Sequence, residues 1–159
     1  MAQSSGFDMS KLSLGSKIVA GAGVLLLLDS FISWQKVCFE FAGITGACGT
    51  ANMWGGDAGW AGLLAGLLVI ALIVWEGLAL AGTNLNVGMA ASKISSYIGF
   101  GVLGFVIIKF LLILTNHVAF GAFIGLLFAL GVGYGAWMRF QEPEASGAPP
   151  MPSGGNTSL

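Results

Sequence analysis

The sequence predicts an all-α membrane protein, four transmembrane helices in an up-down bundle, on three observations. Of 159 residues, 56% are hydrophobic and 8% charged, with a mean hydropathy of +0.89, whereas soluble domains carry about 25% charged residues. The apolar residues fall into four runs, 18–32, 58–81, 94–115 and 118–138. Each approaches the ~20 residues that a helix rising 1.5 Å per residue needs to cross a ~30 Å hydrocarbon core, and within lipid a helix satisfies its own backbone. Finally, Lys and Arg are unevenly divided between the two sets of loops.

The first run follows Lys11 and Lys17 as the apolar part of a signal peptide follows its basic segment. No small-x-small cleavage site comes after it, since the chain continues Asp29-Ser30-Phe31-Ile32-Ser33-Trp34, so it reads as a retained anchor. The expected organisation is a disordered N-terminus over 1–16 and one transmembrane domain over 17–140. Its spans lie at about 18–34, 58–81, 94–115 and 118–138, with an outer loop over 35–57. Residues 141–159, with Glu142, Pro143, Glu144, Pro149, Pro150 and Pro152, cannot bury a core and read as a disordered tail. Within the outer loop, Trp34, Val37, Cys38 and Phe41 recur at helical spacing and predict a short continuation of span one along the membrane surface. Asn116-His117 is hardly more than a turn, which makes the last two helices antiparallel neighbours.

Lys11, Lys17, Lys93 and Arg139 fall on the side of the termini and the middle loop, and Lys36 alone on the other. The positive-inside rule therefore puts both termini in the cytoplasm, in a multi-pass protein of the cell membrane. Trp34 and Trp60 are then expected at the outer interface, and Trp75 and Trp137 at the inner one, where amphipathic rings lie. A weak repeat suggests two duplicated helical hairpins. Ser16-Lys17-Ile18 precedes Gly21-Ala22-Gly23-Val24-Leu25 as Ser92-Lys93-Ile94 precedes Gly99-Phe100-Gly101-Val102-Leu103, and Gly62-x-x-x-Gly66-Leu67-Leu68 matches Gly121-x-x-x-Gly125-Leu126-Leu127. Gly62/Gly66, Gly77/Ala81, Gly121/Gly125 and Gly131/Gly135 have the small-xxx-small spacing that lets helices approach, within the chain or in a homodimer.

Few residues carry chemistry. Asp29 and Lys109 interrupt apolar spans, where a charge costs at least ~2.5–3.5 kcal/mol at the helix centre. Both fall in the outer half of their spans, so an ion pair between spans one and three is one reading, and separate snorkelling to the interface the other. Glu76, near the inner end of span two, either reaches headgroups or joins Asp29 as a candidate proton or ion site. His117 reads as a surface-turn residue, because a lone imidazole with no neighbouring ligand cluster supplies neither a haem nor a metal site. Cys38 and Cys48 share the exported loop and form a candidate disulfide.

The stretch Lys17–Phe31, ending in Ser33-Trp34, resembles the first span of small bacterial four-span membrane proteins, a resemblance that implies a fold and no activity. The long first outer loop with paired cysteines resembles the claudin-like architecture. The Gly-Leu-Trp element before that family's first cysteine is missing, since Lys36-Val37 precedes Cys38, so no function carries over. No catalytic, cofactor or metal motif is present, and a net charge of −1 gives no reason to expect nucleic acid. The expectation is a non-catalytic accessory, assembly or scaffold subunit, with the bilayer and a membrane protein or second copy as partners. The alternative is a small ion- or proton-coupled transporter using Asp29, Lys109 or Glu76. It would lack the first-span glutamate of the small multidrug exporters. An intramembrane enzyme would have Ser30 or Ser33 with His117 to draw on.

Overall fold

A computed structural model describes residues 12–41, 43–81, 89–115 and 118–143. Their order is α1 (Leu14–Asp29), β1 (Ser33–Phe41), β2 (Ile44–Asn52), α2 (Gly59–Leu80), α3 (Ala91–Ile113) and α4 (Phe120–Gln141). Three helices, α2, α3 and α4, are long and apolar enough to cross a membrane. The first is shorter. Its 16 residues reach about 24 Å at 1.5 Å per residue. It starts earlier than the apolar run suggests because Ser13 caps it, accepting the Ser16 N–H at 3.2 Å. At its other end Ile32 N–H bonds the Asp29 carbonyl at 2.9 Å, a tight turn that leads into β1. Thus Leu14–Ser16 belong to a helix, not to a disordered N-terminus, and 30–34 lie outside it. Residues 1–11 and 144–159, expected to be disordered, and Asn116-His117 lie outside the described residues.

The helices pack side by side in the cyclic order α1, α4, α3, α2, so each touches the neighbours that alternating chain directions supply. Each contributes a pair to the central core: Val19 and Leu26, Val69 and Leu72, Val102 and Val106, Ala129 and Val132. Their outer faces carry large exposed apolar residues, among them Leu28, Trp60, Leu67, Leu111, Leu127 and Tyr134, the distribution of a helix surface that faces lipid.

The expectation of an entirely helical chain, with 34–41 as a surface helix, is corrected by an antiparallel hairpin. β1 pairs with β2 in the register Lys36↔Thr50, Val37↔Gly49, Cys38↔Cys48 and Phe41↔Ile44. Gly43 at the turn has φ +77°, which an L side chain rarely adopts. Between Ser33↔Asn52 and Gln35↔Ala51 one residue, Trp34, has no opposite number. Such a bulge re-aims a side chain, and here it turns the Trp34 indole down among the helices, where it is 0% exposed. The expected interfacial Trp34 is therefore a core residue. Trp60 and Trp137 are exposed, and Trp75, half-buried, donates to the Ala91 carbonyl at 3.3 Å.

Candidate functional site

The buried polar groups gather at the two ends of the helices. At the end away from the hairpin, each helix contributes one side chain to a single layer. Glu76 of α2 is 1% exposed. Its two carboxylate oxygens accept hydrogen bonds from the hydroxyls of Ser16 on α1 and Ser95 on α3. It also pairs with Arg139 of α4 at 3.3 Å. Arg139 reaches Glu142 at 3.3 Å through its other terminal nitrogen, and Ser96 Oγ donates to the Ala136 carbonyl at 2.9 Å. The headgroup-reaching Glu76 is thereby corrected. Alternating helix directions bring the last turns of α2 and α4 to one end, where the guanidinium offsets the buried carboxylate charge.

At the hairpin end the two expected partners do not meet. Asp29, 2% exposed, accepts the Trp34 indole N–H on its carboxylate at 3.0 Å and on its own carbonyl at 3.2 Å. Lys109, 0% exposed, donates to the carbonyls of Gly55 at 3.0 Å and Asp57 at 3.1 Å. Asp29 faces α4 across Gly125, whereas Lys109 lies against Gly62 of α2. α1 and α3 stand diagonally in the bundle, with α4 and α2 between them. Asp29→Asn and Lys109→Met should accordingly lower stability additively, within about 0.5 kcal/mol, as for sites that share no partner. Thermal unfolding of the two single variants and the double variant in detergent measures this, and a coupling above ~1 kcal/mol would reveal a linkage that the geometry lacks.

The glycine pairs divide by what they receive. Gly131 and Gly135 seat α1: a Cβ there would meet Ala22 at 3.2 Å and Val19 at 2.7 Å. Gly62/Gly66 and Gly121/Gly125 instead seat the roots of the hairpin. Gly66 faces the Trp54 ring and Gly62 the Met53 carbonyl, while Gly125 faces the Trp34 ring and Gly121 the Ser33 carbonyl. The matched sequence elements thus do matched work, each holding one tryptophan. Both indoles donate to adjacent residues at the end of α1, Trp34 to Asp29 and Trp54 to Ser30 Oγ, the latter at 3.0 Å. Gly77 has nothing within 4 Å of a Cβ. Ser30 also donates to the Leu27 carbonyl at 2.6 Å, Ser33 opens β1, and His117 lies outside the described residues.

The hairpin is tied down further by Met53 N–H to the Ser30 carbonyl at 3.2 Å and Ala119 N–H to the Trp34 carbonyl at 2.9 Å. Gln35 forms a bridge with Val118. Gly56, with φ +69°, lets the Gln35 amide pass where any Cβ would collide with it. Beyond this root, Cys38 and Cys48 are joined in a disulfide across directly opposed positions, Cα–Cα 4.1 Å, and both are exposed. Sequence reasoning missed Arg139, Ser16, Ser95 and the anchoring of Trp54. An acid and a base near the same end of two apolar runs was the available signal for the Glu76–Arg139 pair. Among the described residues no His, Cys, Asp or Glu cluster could hold a metal ion.

No family model, curated protein or solved structure matches the chain.

Proposed function

We propose that this chain is a non-catalytic integral membrane protein, an accessory, assembly or scaffold subunit that offers its disulfide-closed hairpin to a partner. One observation carries the reading: the hairpin root is wedged into the helices by two tryptophans, while farther out Lys36, both half-cystines and the 46–50 stretch stand exposed on a covalently closed strand pair. A rigid base under a projecting strand pair is what a presented interaction element needs. Glu76 and Lys109 have their polar atoms engaged in contacts between elements, which suits a structural role better than carriage of an ion.

In this reading α1 is a fourth span, short and completed by Ser30–Ile32, and the four helices form an up-down bundle of two related hairpins in the cell membrane. The Lys/Arg asymmetry supports cytoplasmic termini, with the hairpin outside. Lys36 is then an exposed outer amine, whereas Lys17 and Lys93 lie inside. A membrane-impermeant amine-reactive photo-crosslinker added to intact cells tests both points. Peptide mapping should find Lys36 modified and Lys17 and Lys93 untouched, and irradiation should join the chain to one defined membrane protein or to a second copy. Modification of Lys17 or Lys93 instead would reverse the orientation, and labelled protein that crosslinks to nothing would remove the accessory reading.

The second reading, a small ion- or proton-coupled transporter, draws on Asp29. Its Oδ1 is buried and, among the described residues, has no hydrogen-bond partner, a costly arrangement for a carboxylate in so dry a place. Proton-driven flux in proteoliposomes that disappears in a folded Asp29→Asn variant would favour it. Absence of flux in the wild type would leave it without support.

A further inference from the structure

We propose that the Cys38–Cys48 bridge is a reversible redox-modification site, opened by dithiol reductants while the protein stays folded. Its opening would switch the distal hairpin from a paired sheet to an unpaired loop on an unchanged base.

Access comes first. Both half-cystines are exposed, as are Lys36, Gly43, Gly46, Ala47, Gly49 and Thr50 around them. An incoming thiolate therefore reaches a sulfur without any helix moving, and exchange rates depend on such access.

The consequence is confined by where the other fastenings lie. Among the described residues they lie at the root: Trp34 and Trp54 in their glycine notches, Met53 on Ser30, Ala119 on the Trp34 carbonyl, and the Gln35–Val118 bridge. From Lys36 outward the sheet has two strands, and an isolated two-stranded hairpin is marginal in water. The disulfide crosses in the middle of that stretch, so among the described residues the covalent tie lies beyond the non-covalent fastenings to the helices. Loss of the tie releases the pairing beyond Lys36 and stops at the bulge, where Trp34 is held by groups the bridge does not touch.

The chemistry balances as ordinary exchange. One thiolate of the reductant attacks Sγ of Cys38 or Cys48, and the other sulfur leaves as a thiolate and takes a proton. The second thiol of the reductant then displaces the first cysteine, which is protonated in turn. Two electrons and two protons pass to the cysteine pair, and the reductant ends as a disulfide. This inference concerns the order of the hairpin and does not depend on the partner proposed above.

The test uses the full chain in lipid nanodiscs, equilibrated with mixtures of reduced and oxidised dithiothreitol. Trapping with a mass-adding maleimide reads the fraction opened, and hydrogen exchange reads the backbone. Opening is expected without denaturant, in a single reversible transition. Exchange of amides in 36–50 should rise at least tenfold, while 52–57 and the start of α4 stay unchanged. The Cys38→Ser/Cys48→Ser double variant should show the opened pattern in oxidant and ignore the redox ratio. A bridge that resists reduction until the helices unfold would overturn the proposal. So would opening that leaves exchange in 36–50 unaltered, or that loosens root and helices along with the distal strands.

Discussion

Arg139→Ala should destabilise the folded protein by about 3–5 kcal/mol, the usual result of stranding one member of a buried charge pair. Glu76 would keep the two serine hydroxyls but lose its cation while 1% exposed. Glu76→Ala should cost less, because Arg139 retains Glu142 at 3.3 Å and lies nearer the helix ends. The order of the two losses is therefore itself a prediction. Replacing both residues by methionine should recover most of the stability, since apolar groups of similar volume commonly substitute for a buried pair at little loss. Thermal unfolding followed by tryptophan fluorescence in one detergent measures all three variants. Equal and additive losses, or a double variant worse than either single one, would mean that Glu76 and Arg139 are not the energetic unit their geometry describes.

The second large effect is a change of sign among glycines. Gly77→Ala and Gly104→Ala add a Cβ that meets nothing within 4 Å, so they should stabilise by the helix-propensity gain of roughly 0.5–1 kcal/mol. Gly62→Ala and Gly125→Ala make the same chemical change and the same propensity gain. Their new Cβ atoms would run into the Met53 carbonyl and into the Trp34 ring and Asp29 carboxylate. Overpacking of this kind costs about 1–3 kcal/mol, and more where backbone must move. Net destabilisation at 62 and 125 with net stabilisation at 77 and 104 is the expected pattern, read as melting temperatures of the four variants. Four stabilising substitutions would mean that the tryptophans do not occupy those notches.

Three helices were legible because a run of about 20 apolar residues is what a membrane-crossing helix needs, and α2 begins and ends within one residue of the 58–81 run. The hairpin was not, and the bulge explains why. The extra residue puts Trp34 three positions before Val37 instead of at the two-residue spacing of a strand, and so counterfeits a helical repeat. The cysteine pair was readable from its shared loop. Of the charges, only the end was readable: Asp29 and Lys109 share the hairpin half, yet they lie against α4 and α2, because α1 and α3 are diagonal in a packing order that hydropathy does not encode. The glycine spacing likewise announced close approach without saying that loop tryptophans, as well as helices, would fill it.

The seat of Trp34 also imposes an order of events during synthesis. Trp34 leaves the ribosome roughly 90 residues before Gly125, the floor of its notch on α4. At ~5–20 residues per second that interval is roughly 5–18 s. The Trp54 seat on α2, by contrast, follows within a dozen residues. One side of the hairpin can thus dock almost as soon as it is made, while the other waits for the last helix. During that wait the cysteines are already present on a half-anchored loop. Arrival of α4 is then the step that turns a provisional segment into a fixed one, and a chain truncated before Phe120 would remain permanently at the earlier stage.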